Sequence, residues 1–487
     1  MALARSPKMT CLVRTCSGRF CVALLLLLAA CGGNSGSGNS PGTVYFFNVL
    51  PAANVGDVGS GLALEIFHPQ TGTSSVCTIP RGNGMLCTVG TGGVSYVITV
   101  RTQPTHPSQS CTVQNRSGTT PSGQGAGTDP GNLGNLGVFC TTNPSRFAYV
   151  ASGTSNSISA YTIDPASGAP TALAASPFAS ADPVSIAVEP TGAYAFAVNG
   201  NSASASVYSI DHSTGALTAV GGSPVPVGNG PSAVAIDGAD GFAYVANQLD
   251  NSVSGFSYNT SNGALTPLPG SPYAAGHGPL DVSTTFDPSS FASGPFVYVA
   301  NSGSNTVSAY VADSLRGSMT AVTGSPFPTG RGPASVAIDG YSHFVYLANQ
   351  ADGTISAFSI DRTSAAPGAL SAVPGSPFAA GHSPTAIVVD GYARFVYVAN
   401  AVDNTVSGYT IDGTTGGLHA IAGSPFPTGA GPSTLTVDNL SKFLYVVNSR
   451  ANSISVYSID QSTGVLTTVS GSPFTTAVNP GSISLSQ

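Results

Sequence analysis

Three repeated segments in the second half of this chain place His277, Arg331 and His382 at equivalent points, each two residues before a recurring proline. The equivalent positions elsewhere hold Ala181, Asn229, Ala430 and Val478, so these three ionisable side chains break an otherwise bland series. Two residues after the same prolines stand Ser185, Ala233, Asp281, Ser335, Ala386, Thr434 and Ser482, and Asp281 is the one charge among them. An imidazole titrates near neutrality and moves protons, and a guanidinium grips carboxylate or phosphate through paired N–H bonds. A base that activates water and a donor for the developing oxyanion are what hydrolysis of an acyl bond needs, and His277, Asp281, Arg331 and His382 could supply both. The same four positions also read as ordinary solvated loop residues, because loops are where polar side chains sit. Two histidines with a guanidinium between them repel a cation and no third ligand accompanies them, so neither a metal nor another cofactor is expected.

The elements that position these residues come from internal repetition. One short strand recurs as FAYVAS (147–152), YAFAVN (194–199), FAYVAN (242–247), FVYVAN (296–301), FVYLAN (344–349), FVYVAN (395–400) and FLYVVN (443–448). From Tyr149 through Phe196, Tyr244, Tyr298, Tyr346 and Tyr397 to Tyr445 the intervals are 47, 48, 54, 48, 51 and 48 residues. That spacing suits one propeller blade of four strands per repeat. The second unit shows the four pieces: YAFAVN, ASVYSID (205–211), ALTAVGG (216–222) and SAVAID (232–237). Between them lie a polar hairpin, a turn at Ser213–Gly215, and a Ser-Pro-aromatic corner of the kind seen at Ser325-Pro326-Phe327, Ser376-Pro377-Phe378, Ser424-Pro425-Phe426 and Ser472-Pro473-Phe474. The proline is expected to end the outer strand and the aromatic to fill the gap between blades.

If the strand after each corner is innermost in the next blade, the first unit lacks its own inner strand. SISLS (482–486) is expected to supply it from the far end of the chain, leaving the ring without a free edge. The alternative donor, LGVFC (136–140), fits better in the preceding domain. The asparagines closing the recurrent strand (Asn199, Asn247, Asn301, Asn349, Asn400, Asn448, with Ser152 in the first unit) read as structural through their very repetition, as turn caps. Asp237, Asp339, Asp390 and Asp438 read likewise as turn formers.

YVAN followed by VSAYxID and TGAL resembles the YVTN-type repeats of the lactonase-like seven-bladed propellers, a family that includes bacterial 6-phosphogluconolactonase. The resemblance spans roughly residues 143–487 and implies the fold far more specifically than the reaction. That family's polar cluster of His, Arg and a carboxylate near the channel has no local motif by which it can be matched here residue by residue. Glutamate occurs only at Glu65 and Glu189.

Ahead of the repeats, residues 1–30 carry Arg5, Lys8, Arg14 and Arg19 before an uncharged run from Phe20 to Ala30, too short to span a bilayer and expected to be a secretory signal. LAAC (28–31) resembles the lipobox of bacterial lipoproteins, which implies cleavage before Cys31 and acylation of that cysteine. Gly32 in place of an aspartate then implies the outer membrane, or its periplasmic face, in a Gram-negative host. Residues 31–42 form a Gly/Ser tether. Without the signal, ten basic residues face twenty-one acidic ones, a formal charge of −11, which excludes a nucleic-acid footprint.

Residues 43–142 alternate apolar and polar positions in short runs and are expected to form a small antiparallel sandwich. Cys77, Cys87, Cys111 and Cys140 form an even set in an exported chain and point to two disulfides. Of the three possible pairings, Cys77–Cys87 across the RGNG turn and Cys111–Cys140 are favoured. The stretch from Tyr96 to Cys140 resembles small immunoglobulin-like modules of bacterial surface proteins. The expectation is therefore an all-β protein, a seven-bladed β-propeller behind a small N-terminal β-sandwich, lipid-anchored in the cell envelope. Its leading functional reading is a binding or scaffold protein that holds a protein, peptide or glycan on the loop face. The alternative is a lactone hydrolase acting on a sugar-acid lactone at the channel mouth.

Overall fold

A computed structural model describes residues 144–237, 241–285, 295–362 and 366–486, and before them only the backbone of eight strands between residues 45 and 142. The signal, Cys31 and the tether lie outside the described residues. The early strands include a four-stranded antiparallel sheet and two separate pairs. In the pair Gln109–Gln114 with Gly137–Thr142, the backbone of Cys111 lies opposite that of Cys140.

From Phe147 onward the chain folds into seven antiparallel sheets, the blades, with no helix among the described residues. In blades 2 to 7 the inner strand begins at the recurring proline: Pro183–Val188, Pro231–Asp237, Pro279–Thr284, Pro333–Ile338, Pro384–Val389 and Pro432–Val437. The recurrent strand is second in every blade. Blade 1 takes its inner strand from Ser482–Ser486, which pairs antiparallel with Phe147–Ala151, so the ring closes as the sequence implies.

The outer edge departs from the expected four strands. Beyond the short outer strand, such as Leu217–Ala219, the chain turns at the Ser-Pro corner and lays a two-residue segment, such as Val225–Pro226, back on the third strand. All seven corners hold a cis Ser-Pro bond. The corner serine explains how both pieces share one strand: its Oγ accepts the third-strand N–H left between them. Ala160 N–H donates to Ser176 Oγ at 2.9 Å, and the same bond recurs in the other six blades. The following aromatic packs against the apolar layer between blades, for instance Phe327 and Phe474.

Adjacent blades are joined by the aromatic pair of the second strand. Tyr149, Tyr244, Tyr298, Tyr346, Tyr397 and Tyr445 are fully buried, and each hydroxyl donates at 2.8–3.0 Å to a turn-glycine carbonyl of the next blade. Blade 2 carries Phe196 here and lacks that bond. The phenylalanine two residues earlier covers the same glycine. Gly317 has φ +67°, and a Cβ there would lie 2.5 Å from Phe242, so glycine is required on both counts. The strand-end asparagines are wholly buried, and each Nδ2 donates to two hydroxyls on the third strand, as Asn448 does to Ser453 and Ser455. They clamp two strands together and are not the expected turn caps. The hairpin aspartates behave as expected: Asp438 Oδ1 accepts from Lys442 and Phe443 N–H.

Candidate functional site

Two loop sets share one face of the ring, those approaching the inner strands and those returning from the second strands. Asparagines in the left-handed region stitch this face from blade to blade. Asn251, at φ 53°, accepts the Gly278 N–H of the next blade through its side chain at 2.9 Å, and Asn305, Asn404 and Asn452 do the same onward.

His277, Arg331 and His382 sit on the approach loops of blades 4, 5 and 6, all exposed. Arg331 Nε donates to Asp352 Oδ1 at 2.6 Å, and its own N–H donates to Asp352 Oδ2. His382 repeats that geometry with Asp403: the backbone N–H meets Oδ2 at 2.7 Å and Nδ1 meets Oδ1 at 2.8 Å. Asn229 and Asp250 form the same clamp in blade 3. The His277 ring lies over Gly303, and its carbonyl accepts the Gly303 N–H. Arg331 and His382 are thus tied by their side chains, and His277 by its backbone carbonyl, to the return loop of their own blade, and the bonds of Arg331 and His382 run to these aspartates, not to one another. With 73% of the Arg331 side chain and 84% of the His382 side chain exposed, both look into solvent. Contact with Arg331 and His382 holds the carboxyls of Asp352 and Asp403 below the usual carboxylate range, mainly through the backbone N–H bonds.

Asp281 stands apart, on the inner strand of blade 4. Its Oδ2 accepts the N–H of Val336 on the inner strand of blade 5 at 2.9 Å, and Oδ1 accepts the N–H of Val282. Burial pushes its carboxyl above the ordinary range, partly offset by these bonds and by Ser335. The bond to Val336 belongs to a pattern around the channel. Ser482 Oγ accepts from Ile186 N–H, Ser484 Oγ from Val188 N–H, and Ser335 Oγ from Ile387 N–H, each linking one blade to the next.

A cavity of about 210 Å³ opens between the inner strands of blades 2, 3 and 4, towards the end of the channel away from the two loop sets. Ala187, Val188, Ala235, Ile236, Ser283 and Thr284 contribute most of its wall, and no lining residue is charged. Along the strand Asp281 and Ser283 are two residues apart and share one face, roughly 7 Å from each other. Among the described residues no group of three or more His, Cys, Asp or Glu side chains is placed to hold a metal.

The paired aspartates, the stitching asparagines and the cavity escaped the sequence reading. An asparagine four residues after the strand-end asparagine, as in Asn247 and Asn251 or Asn448 and Asn452, was the available signal for the stitching. For the cavity it was alanine at 187 and 235 where blade 1 has Ser484.

Fold and channel together define the chain as a closed seven-bladed β-propeller, with Asp281 on the inner strand of blade 4. The family model "Lactonase, 7-bladed beta-propeller" matches residues 136–230, 222–375 and 366–479, and the chain belongs to that family. No curated protein matches the sequence. Among solved structures, a Bacteroides uniformis protein provisionally described as a 6-phosphogluconolactonase aligns with TM-score 0.60 at 18% identity, covering 70% of this chain and 100% of its own. The periplasmic gluconolactonase of Pseudomonas aeruginosa aligns with TM-score 0.59 at 18% identity, covering 71% of this chain and 99% of its own. At such identities the likeness is one of fold.

Proposed function

We propose that this propeller opens lactones within its central channel. The observation that carries the reading is the lactonase-family match running through every blade, with Asp281 as the charged member of its inner-strand series. Its carboxylate, held by two N–H groups and raised by burial, retains lone pairs to take a proton from water. Water adds to the acyl carbon, the ring C–O bond breaks, the former ring oxygen takes a proton, and a hydroxy acid leaves. Arg331 and His382, clamped on the loop face, and His277 beside them meet the substrate as it approaches the channel.

Assay of a lactone panel with purified protein tests this. Asp281→Asn is expected to lower kcat/KM at least about a hundredfold, the scale of general-base catalysis, while Arg331→Ala and His382→Ala lower it less than about tenfold by the same scale. No turnover on any lactone, or full activity in Asp281→Asn, would overturn the reading.

A second reading, display of the loop face to a protein, peptide or glycan, is favoured by the repeated Asn229, Arg331 and His382 clamps and by Leu249 and Val402, exposed on the same face. Under either reading we place the mature chain in the cell envelope, anchored through acylated Cys31, with Cys111 bonded to Cys140 and Cys77 to Cys87. Metabolic labelling with a fatty acid, lost in Cys31→Ser, checks the anchor.

A further inference from the structure

The inner strands turn alternate N–H groups toward the preceding blade. The N–H of Glu189, Thr285 and Asp339, one residue beyond the inner strand proper, bonds within its own blade to Tyr194, Phe296 and Phe344. The N–H one residue earlier therefore faces the channel side, and in blade 2 this group, Val188 N–H, is satisfied by Ser484 Oγ at 3.0 Å. The equivalent groups of blades 3 and 4 are Ile236 N–H and Thr284 N–H. The residues standing where Ser484 stands are Ala187 and Ala235, whose methyl groups offer no acceptor. Both alanines, Ile236 and Thr284 line the 210 Å³ cavity. Neither alanine offers the hydroxyl acceptor that Ser484 gives Val188, and both stand on the wall of this space.

We propose that this cavity binds a neutral carbonyl compound of single-ring size, its oxygen accepting from the N–H of Thr284 beside Ala235. The proposal deepens the lactone-opening reading and rests on it for the identity of the ligand as a lactone. Size follows from the volume, below the roughly 300–1,000 Å³ of sites for drug-sized ligands. Neutrality follows from a wall without a cation, where a phosphate or carboxylate would lose its hydration without a charged partner. A backbone N–H donor of this kind stabilises the oxyanion that develops as water adds to an acyl carbon.

Calorimetry with an inert sugar δ-lactam, the corresponding free acid and its phosphorylated form tests the site apart from turnover. The lactam is expected to bind at least tenfold more tightly than either anion. Ala235→Ser, which restores the blade 1 arrangement, is expected to weaken lactam binding at least tenfold. Ala337→Ser, the same exchange in blade 5, is expected to leave it unchanged. Equal binding by Ala235→Ser, tighter binding of an anion, or no binding of the lactam would overturn the proposal. Lactam binding that is sensitive to Ala235→Ser in a protein without turnover would sustain the site and remove the reaction.

Discussion

At the scale of the residue, the seams between blades depend on one hydroxyl each. Tyr445 donates to Gly168 O at 2.9 Å from a fully buried position, and that carbonyl has no water to replace the donor. Tyr445→Phe is expected to cost about 1 kcal/mol, the net value of one hydrogen bond, with an added penalty for the stranded carbonyl. The blade 2 seam supplies the converse. Phe196 occupies the tyrosine position, wholly buried and edge-on to Tyr258 at 5.2 Å. Phe196→Tyr is expected to be neutral to stabilising, because the partner glycine carbonyl is present in blade 3 as in every other blade. Urea unfolding midpoints of the two variants decide the matter, and a Tyr445→Phe midpoint equal to wild type would refute the role of the hydroxyl.

At the scale of the element, the turns before the outer strands carry an exposed aspartate that caps its own backbone. Asp211 is held at about 2, first by the Ser213 hydroxyl and then by the Thr214 and Ser213 N–H groups. Asp460, capped by Ser462, and Asp164, Asp313 and Asp412, capped mainly by turn N–H groups, are also lowered. A carboxyl whose folded pKa lies below its unfolded value contributes fully above about 3.9 and loses that contribution as pH falls through the folded value. The buried hairpin carboxyls of Asp339 and Asp438 are raised by desolvation and act oppositely, gaining as they protonate. Stability is therefore expected to hold on acidification to about pH 4 and to fall between about pH 4 and 2. Ser213→Ala should be less stable than wild type at pH 6, with a deficit that shrinks as pH falls through about 2, the folded value of Asp211. A deficit that persists unchanged at pH 2 would show the serine acting by packing alone.

These turns were legible in the sequence because a short polar residue beside glycine is a local signal, as were the blades, whose period is carried by Tyr149 to Tyr445. The clamps of Arg331 to Asp352 and His382 to Asp403 were not, because each joins residues 21 positions apart, across a whole hairpin. Asp281 was visible only as a charge among small residues. Its bond to Val336, 55 residues away, exists only once the blades are arranged in a ring.

At the scale of the whole molecule, closure rests on five residues from the far end of the chain. Ser482–Ser486 pairs with Phe147–Ala151, and Ser482 and Ser484 also satisfy Ile186 and Val188 in blade 2. Removing residues 480–487 would expose the inner edge of Phe147–Ser152, a fully buried strand, and leave N–H groups of two blades without acceptors. An unpaired apolar edge seeks another chain. The truncated protein is therefore expected to lose its cooperative unfolding transition and to aggregate. Joining residues 480–487 ahead of Ser145, where the same strand can reach the same neighbour in a local hairpin, is expected to restore a soluble monomer with a single transition. Light scattering and thermal unfolding of the two forms distinguish the roles. If the truncated chain stays monomeric and unfolds as wild type does, blade 1 needs no fourth strand and the ring is held by its seams alone. If the permuted chain fails where wild type succeeds, the strand matters through its connection to blade 7, whose Ser433 Oγ donates to Pro480 O at 3.3 Å.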